Sequence, residues 1–333
     1  MSRFAVPRIR FGPSARALVA VLAVTGLIAG CGSDSGSDSP SSSSATRVVS
    51  GTVLGDVTIP TQPKRVVTGW LVGTLAIDIG VTPVGMFDDG KNNASPSALA
   101  KVKDVPTVGG PETAVNLEKI VELNPDLIVT MVRPNMKNLD LKALQDIAPT
   151  VALEAAEPTA AWTNYPKVAD VLGKSSDATQ RLADLDKSWA DIAATNKDKL
   201  AKVGQVVYAE GSAQAGNFQI ATSKSLVHER LSKAGFSYWA GADPQPARYQ
   251  QPISMEDIPR LATANAIFYE ADIQGQPTAR TRALFDSPVF KALPAVKAGN
   301  LFPLRTPYTY TFEAANMQLE DMRAALQKFT PAA

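Results

Sequence analysis

The chain is expected to fold as two similar α/β lobes joined by a single long, rigid α-helix. Three observations predict this. Strand-like and helix-like segments alternate in both halves of the 333-residue chain, the pattern of parallel βα units. One segment of the first half recurs in the second. Between the halves runs one long amphipathic stretch without a helix breaker. The length also suits two domains of ~150 residues each.

In the first half, Arg65–Val67 reads as a short strand after the proline-flanked lead-in Ile59–Lys64. A helix over Leu71–Ile79 ends near Gly80, and Val81–Met86 reads as the next strand. Asn116–Leu123 is a short helix stopped by Asn124-Pro125, and Asp126–Thr130 is a buried strand. Leu141–Ile147 is a helix stopped by Pro149, and Thr150–Leu153 is a strand. The period then changes. Ala178, Leu182, Leu185, Trp189 and Ile192 make one apolar stripe on a helix. Neither Gly nor Pro lies between Ser175 and Val203, so the helix should be unbroken and stiff.

The alternation restarts with a strand at Gln205–Tyr208 and a helix at Ser225–Lys233 ending at Gly235. Met255–Leu261 reads as a helix, Ala266–Tyr269 and Asn300–Leu304 as strands, and Phe312–Phe329 as a closing helix. The recurring segments are VNLEKIVELNPDLIVT (Val115–Thr130) and ISMEDIPRLATANAIFYE (Ile253–Glu270), which align Glu118 with Glu256. The expected organisation is a leader over 1–30 and a linker over 31–47. A first lobe over 48–174, a connecting helix over 175–203 and a second lobe over 204–333 follow.

Composition narrows the function. With 45% apolar, 20% charged and 7% aromatic residues, the chain is of the globular class, not collagen-like, coiled-coil or wholly disordered. A formal charge of +1 makes no case for nucleic acid. One Cys excludes an intrachain disulfide and a cysteine-based zinc site, and one His excludes a site built from several imidazoles. The nucleophile elbow, P-loop, dinucleotide-binding glycine pattern and zinc-protease helix motif are all missing from the sequence, so an enzyme is not expected. No cofactor and no metal ligand set is expected either.

The N-terminus accounts for the single Cys. Arg3, Arg8, Arg10 and Arg16 precede the apolar run Ala17–Ala29, which is short for a bilayer span and ordered like a secretory signal. Ile28-Ala29-Gly30-Cys31 resembles a bacterial lipobox, and that resemblance implies diacylglyceryl modification of Cys31 as the mature N-terminus. The alternative is an ordinary signal with an incidental Cys. The following tract, GSDSGSDSPSSSS, cannot bury a core and suits a tether. Removing residues 1–30 leaves 29 basic against 32 acidic residues, net −3, so membrane contact would come from the lipid alone.

At this point the sequence resembles a known family. The lipobox, VTIPTQPKRVV (Val57–Val67), GVTPVG (Gly80–Gly85), NLEKIVELNPDLIV, LKALQDIAPTV (Leu141–Val151) and ALPAVKAGNLFPL (Ala292–Leu304) together resemble the substrate-binding lipoproteins of ATP-driven iron-siderophore importers. That group also contains the cobalamin-binding protein. The resemblance implies a class III substrate-binding protein: two Rossmann-like lobes bridged by a rigid helix, with the ligand in the cleft between them. It implies a monomeric, non-catalytic binder held at the outer face of the cytoplasmic membrane. Its partners would be a ferric siderophore and a permease with its ATPase. A heme or corrinoid binder of the same fold is the alternative, as is a lipoprotein that kept the fold without transport.

The resemblance also implies that Glu118 and Glu256, one per lobe, dock onto basic residues of the permease. Each also suits the first turn of a helix on dipole grounds alone. Around the second, Ser254 and Asp257 match a capping box, which would leave Glu256 free to point outward. A siderophore already saturates its iron, so the cleft needs aromatic walls and guanidinium groups rather than metal ligands. Loops after the strands supply Trp70, Arg133, Tyr238, Trp239, Arg248, Tyr249, Arg305, Tyr308 and Tyr310. Core packing for any single aromatic, and a solvated charge for any single Arg, are the alternatives. Arg248 and Tyr249 sit in ADPQPARYQQP (Ala242–Pro252), whose prolines are expected to order the loop before binding. His228, in SLVHERLSKAG, reads as a surface or capping residue, or as a ligand contact or heme ligand.

Overall fold

The computed structural model describes residues 45–331, apart from 93–94, 111–113, 135, 137–138 and 158. The leader, Cys31 and most of the linker lie outside the described residues. A hairpin opens the fold: β1 (Thr46–Thr52) and β2 (Gly55–Pro60) pair antiparallel and bury Val49, Val57 and Ile59. The lead-in expected at Ile59–Lys64 therefore begins within a strand, with Ile59 and Pro60 closing β2 and Thr61–Lys64 beyond it. Its alternation of apolar and polar residues over Asp56–Ile59 was the available signal.

The first sheet contains β3 (Val66–Thr68), β4 (Gly85–Phe87), β5 (Thr107–Gly109), β6 (Leu127–Val132) and β7 (Thr150–Glu154). They are parallel in the order β5-β4-β3-β6-β7. β4 is shorter than expected: Pro83 precedes it, and only Gly85–Phe87 joins the ladder. The second sheet contains β8 (Gln205–Gly211), β9 (Asn217–Ala221), β10 (Ser237–Tyr238), β11 (Gln250–Ser254), β12 (Ala266–Ala271) and β13 (Leu301–Arg305). Its order is β11-β9-β8-β12-β13, with β10 parallel to β8. The parallel set β10-β8-β12-β13 repeats the arrangement β4-β3-β6-β7, as the internal repeat predicts. β9 and β11 are added antiparallel at one edge. Pro252 is tolerated in β11 because that strand is an edge.

The recurring segments occupy equivalent places, immediately before β6 and β12. They differ in kind. Leu117–Glu122 is α-helical with Asn116 as its cap, whereas Met255–Thr263 is a 3₁₀ helix with Pro259 inside it. Proline cannot supply the α-helical hydrogen bond, which explains the tighter form.

The connecting helix runs over Ser175–Thr195 and buries Ala178, Leu185, Trp189 and Ile192, four residues of the predicted stripe, with Leu182 half-buried against them. It is not unbroken to Val203. At Asn196 the backbone leaves helical geometry (φ −123°, ψ 23°), and a second helix covers Lys197–Val203. The Asn196 side chain donates to Ile192 O at 3.0 Å, the local competition that makes Asn a helix terminator.

One apolar core runs through both sheets' facing layers and this helix, from Val49 and Leu75 through Trp189 to Phe268 and Leu326. The start of the last helix, Phe312–Lys328, is tied to the first lobe. Phe312 N donates to Asp78 at 2.7 Å, and Ser97 donates to Glu313 at 3.1 Å. Arg181 of the connecting helix donates to Asp78 O at 2.6 Å and lies 4.0 Å from the Phe312 ring. A further stack continues through Trp162 and Tyr165 to Arg230, buried with its Nη1 donating to Gln318 at 2.7 Å. Interlocked rings and ion pairs of this kind give the two sheets little freedom to swing apart.

Candidate ligand cleft

In parallel sheets, side chains that meet ligands sit at the strands' C-terminal ends. On the first lobe, β3 ends at Thr68, and Gly69 packs so closely on Thr130 that any side chain there would collide with it. Trp70 follows, half-buried, and Leu71 takes a left-handed conformation (φ 60°). Its amide donates to Asp89 at 2.9 Å, which helps hold this unfavourable backbone. Arg133 follows β6, is exposed, and places its guanidinium 4.8 Å from the Trp70 ring. Thus two residues expected from separate strands form one cation–π pair.

On the second lobe, Arg248 is exposed and Tyr249 half-buried at the start of β11. Thr222 anchors both: its hydroxyl donates to Arg248 O at 2.6 Å, and its amide donates to Tyr249 O at 3.0 Å. The proline-bearing loop is therefore shorter than Ala242–Pro252, because Gln250–Ser254 is strand. Arg248, Tyr249 and Gln250 line a cavity of about 290 Å³ with Ser212, Gln214 and Gln219. The two walls face each other. Lys224 approaches Glu157 of the first lobe at 3.8 Å, and the charge of Arg133 is felt at the Tyr249 phenol.

Four expected cleft residues are placed differently. Trp239 is 4% exposed in the second lobe's own core, its indole donating to Thr263 at 2.8 Å. Tyr238 pairs with Val206 at the start of β8, the end away from the C-terminal ends. Its hydroxyl donates to Ala221 O at 2.8 Å and accepts from Tyr208 N at 3.2 Å. Tyr310 is buried in the shared core. Arg305 is engaged by Asp321 at 2.8 Å, Glu320 at 2.9 Å and Met317 O at 3.0 Å. Non-periodic loop sequence does not separate an inward from an outward side chain, so these four were indistinguishable from Arg248 in the sequence. The His228 ring lies tilted against Tyr238 (4.6 Å), and burial pushes its imidazole below the usual value. Its amide donates to the capping Ser225 hydroxyl at 3.0 Å.

Tyr308 does reach the cleft side, half-exposed and edge-on to Tyr249 at 6.5 Å. Its hydroxyl is turned inward and donates to Glu210, at the end of β8. Glu210 is 3% exposed and was not expected from the sequence. Tyr208 donates to it at 2.7 Å, and Gln250 donates to it and to Tyr308 (2.8 Å). Burial pushes the Glu210 carboxyl up to about 7 despite these three donors. The turn carrying Tyr308 is itself strained. Thr306 is left-handed (φ 47°), costly for a β-branched residue, and its buried hydroxyl has no partner.

Glu118 and Glu256 are both exposed, in the first turns of their helices. Ser254 caps the amide of Glu256 at 3.3 Å rather than that of Asp257. No group of side chains suited to holding a metal ion, and no helix long and apolar enough to cross a membrane, occurs among the described residues.

A family model described as "Periplasmic binding protein" matches residues 66–308, which contain both sheets and both cleft walls. The chain belongs to the periplasmic binding protein family. Among relatives of this binding protein is the Fe(3+)-citrate-binding protein YfmC of Bacillus subtilis. It is 30% identical over 255 residues, covering 74% of this chain and 75% of that one. "Probable siderophore-binding lipoprotein YfiY" of the same organism is 30% identical over 327 residues, covering 93% and 97%. The siderophore periplasmic binding protein from the fuscachelin gene cluster of Thermobifida fusca superposes with a TM-score of 0.72. It is 26% identical and covers 81% of this chain and 98% of its own. This binding protein therefore has the class III fold that the sequence resemblance implied.

Proposed function

We propose that this protein captures a ferric siderophore or related ferric chelate between its lobes and delivers it to an ATP-driven importer. The observation that carries the reading is the opposed pair of walls. Trp70 and Arg133 stand on one lobe and Arg248, Tyr249 and Tyr308 on the other, with Lys224 and Glu157 approaching across them, supplying aromatic faces and guanidinium charge without metal ligands. That is the chemistry an iron centre already saturated by anionic oxygens requires. The names of YfmC and YfiY point to the same ligand class.

The finer parts of the reading rest on sequence. Cys31 carries the lipid that holds the mature chain at the outer face of the cytoplasmic membrane, with the Ser-rich tract as tether. Glu118 and Glu256 dock the two lobes onto the permease, and the protein acts as a monomeric binder rather than a catalyst. The test is a tryptophan-fluorescence titration of the mature soluble domain with ferric citrate, a ferric hydroxamate, a ferric catecholate, heme and cobalamin. Quenching by at least one ferric chelate at micromolar concentration or below is expected, with Trp70 as reporter. Binding of heme or cobalamin alone would overturn the proposal.

A further inference from the structure

Beneath the second-lobe wall lies a group that the ligand reading leaves unused. Glu210 sits at the end of β8 and receives Tyr208 from its own strand, Gln250 from β11 and Tyr308 from the turn after β13. Two of its three donors belong to the wall: Gln250 lines the cavity with Arg248, and the ring of Tyr308 stands against Tyr249. A carboxylate with three donors and almost no exposure is otherwise an expensive thing to bury. Simple core packing would not retain it.

We infer that Glu210 is the positioning residue of this wall, and that the charge it carries sets which ligand charge the cleft prefers. Ionised, it fixes Tyr308 and Gln250 and places one negative charge under the bound ligand. Protonated, it keeps the same shape and removes that charge. The inference rests on the ferric-chelate reading. An anionic chelate would be disfavoured by ionised Glu210 and a cationic one favoured.

The groups facing Glu210 allow such a titration to be assigned. Tyr208, Tyr238, Tyr249 and Tyr308 are all held above the ordinary phenol value, mainly by burial, and stay neutral. Glu270 on β12 contributes a repulsion that raises Glu210, and its own carboxylate accepts from Thr278 (2.7 Å) and Thr281 (3.2 Å). Burial, the largest cause, and this repulsion put the Glu210 transition near neutrality, at about 7. Because an anionic ligand favours the protonated form, affinity for it should fall as pH rises through that value. For a cationic ligand the sign reverses.

The experiment titrates the mature domain with ferric citrate (anionic) and with ferrioxamine B (cationic) between pH 5.5 and 8.5. Wild type and Glu210→Gln are compared, and pH-dependent unfolding without ligand is a second readout. For wild type, citrate-complex affinity should weaken about tenfold across the range, and ferrioxamine affinity should move the opposite way. In Glu210→Gln, which keeps an amide of the same shape, both profiles should flatten while binding persists. Glu210→Ala should weaken both ligands at every pH, because the wall loses its support. Identical ligand profiles in wild type and Glu210→Gln would overturn the inference. If wild type bound neither chelate, the ferric-chelate reading would fall. The unfolding arm would then decide the titration on its own: equal pH dependence in both proteins would show that Glu210 carries no proton.

Discussion

The two walls of the cleft are built on non-equivalent strands: the first follows β3 and β6, the second the added edge strand β11 and the turn after β13. On the first lobe, Arg133 rests exposed on the face of Trp70, and the tight Gly69 approach and the left-handed Leu71 fix the turn beneath. On the second, Tyr308 and Gln250 are pinned from below by a buried carboxylate, and Arg248 and Tyr249 are held through their backbone by Thr222. An exposed cation–π pair can adjust to a ligand's outline. A wall whose hydroxyl and amide are already spent cannot, and it loses less entropy when the ligand arrives. On the proposed function, the second lobe would serve as the ordered template and the first as the adaptable cover.

The largest effect that sharpens this contrast concerns what the lobes share. Glu118→Ala with Glu256→Ala should abolish uptake in cells while leaving chelate affinity and stability within ~0.5 kcal/mol of wild type, since both side chains are exposed. Iron-uptake assays on the two single mutants would show whether the lobes contribute equally. Undiminished uptake by the double mutant would remove the docking role.

Next in size is the acid each lobe buries beneath its wall. Burial pushes Asp89 up to about 6 and Glu210 up to about 7, from ordinary values of 3.8 and 4.5. The folded state therefore binds more protons than the unfolded chain in these windows. The stability each group contributes is complete below its unfolded value and is lost as pH rises through its folded one. Each shift corresponds to about 3 kcal/mol. Urea unfolding across pH 4 to 8 should show Asp89→Asn flattening the lower part of the decline and Glu210→Gln the upper part. A single variant flattening the whole decline would break the assignment of the two windows to Asp89 and Glu210.

Arg248→Ala should weaken chelate binding roughly ten- to a hundredfold, ~1.4–2.8 kcal/mol, with Arg248→Lys recovering part of the loss. Arg133→Ala on the adaptable lobe should cost about tenfold at most. Fluorescence titration ranks the two, and a larger loss at Arg133 would reverse the roles of template and cover. The smallest effect is Thr306→Gly. Relief of left-handed strain at a β-branched residue, ~1–2 kcal/mol, is largely offset by glycine's unfolded-state entropy, ~0.5–1 kcal/mol. A gain of ~0.5 kcal/mol in thermal unfolding is expected. Leu71 offers no such gain, because its side chain is buried in the core.

The sequence by itself determined the layered α/β class, the repeat and the connecting helix as far as its apolar stripe runs, to Ile192, because these follow from periodicity and from local breakers. The VNLEKIVEL and ISMEDIPRL segments, the stripe from Ala178 to Ile192 and the stops at Asn124-Pro125 and Pro149 need no knowledge of distant residues. Residue types alone also marked Trp70, Arg133, Arg248, Tyr249 and Tyr308 as candidates. Only the tertiary structure decided which loop side chains turn outward. Arg305 and Arg248 look alike as sequence, yet Asp321, sixteen residues on, claims the former. Trp239 resembles Trp70 until Thr263 accepts the hydrogen bond of its indole. Glu210 gave no signal, since a Glu after a strand is ordinary. Its burial comes from Tyr208, Gln250 and Tyr308, brought together by pairings as far as 98 residues apart in sequence. Contacts over that range depend on strand order and register, which no local pattern encodes.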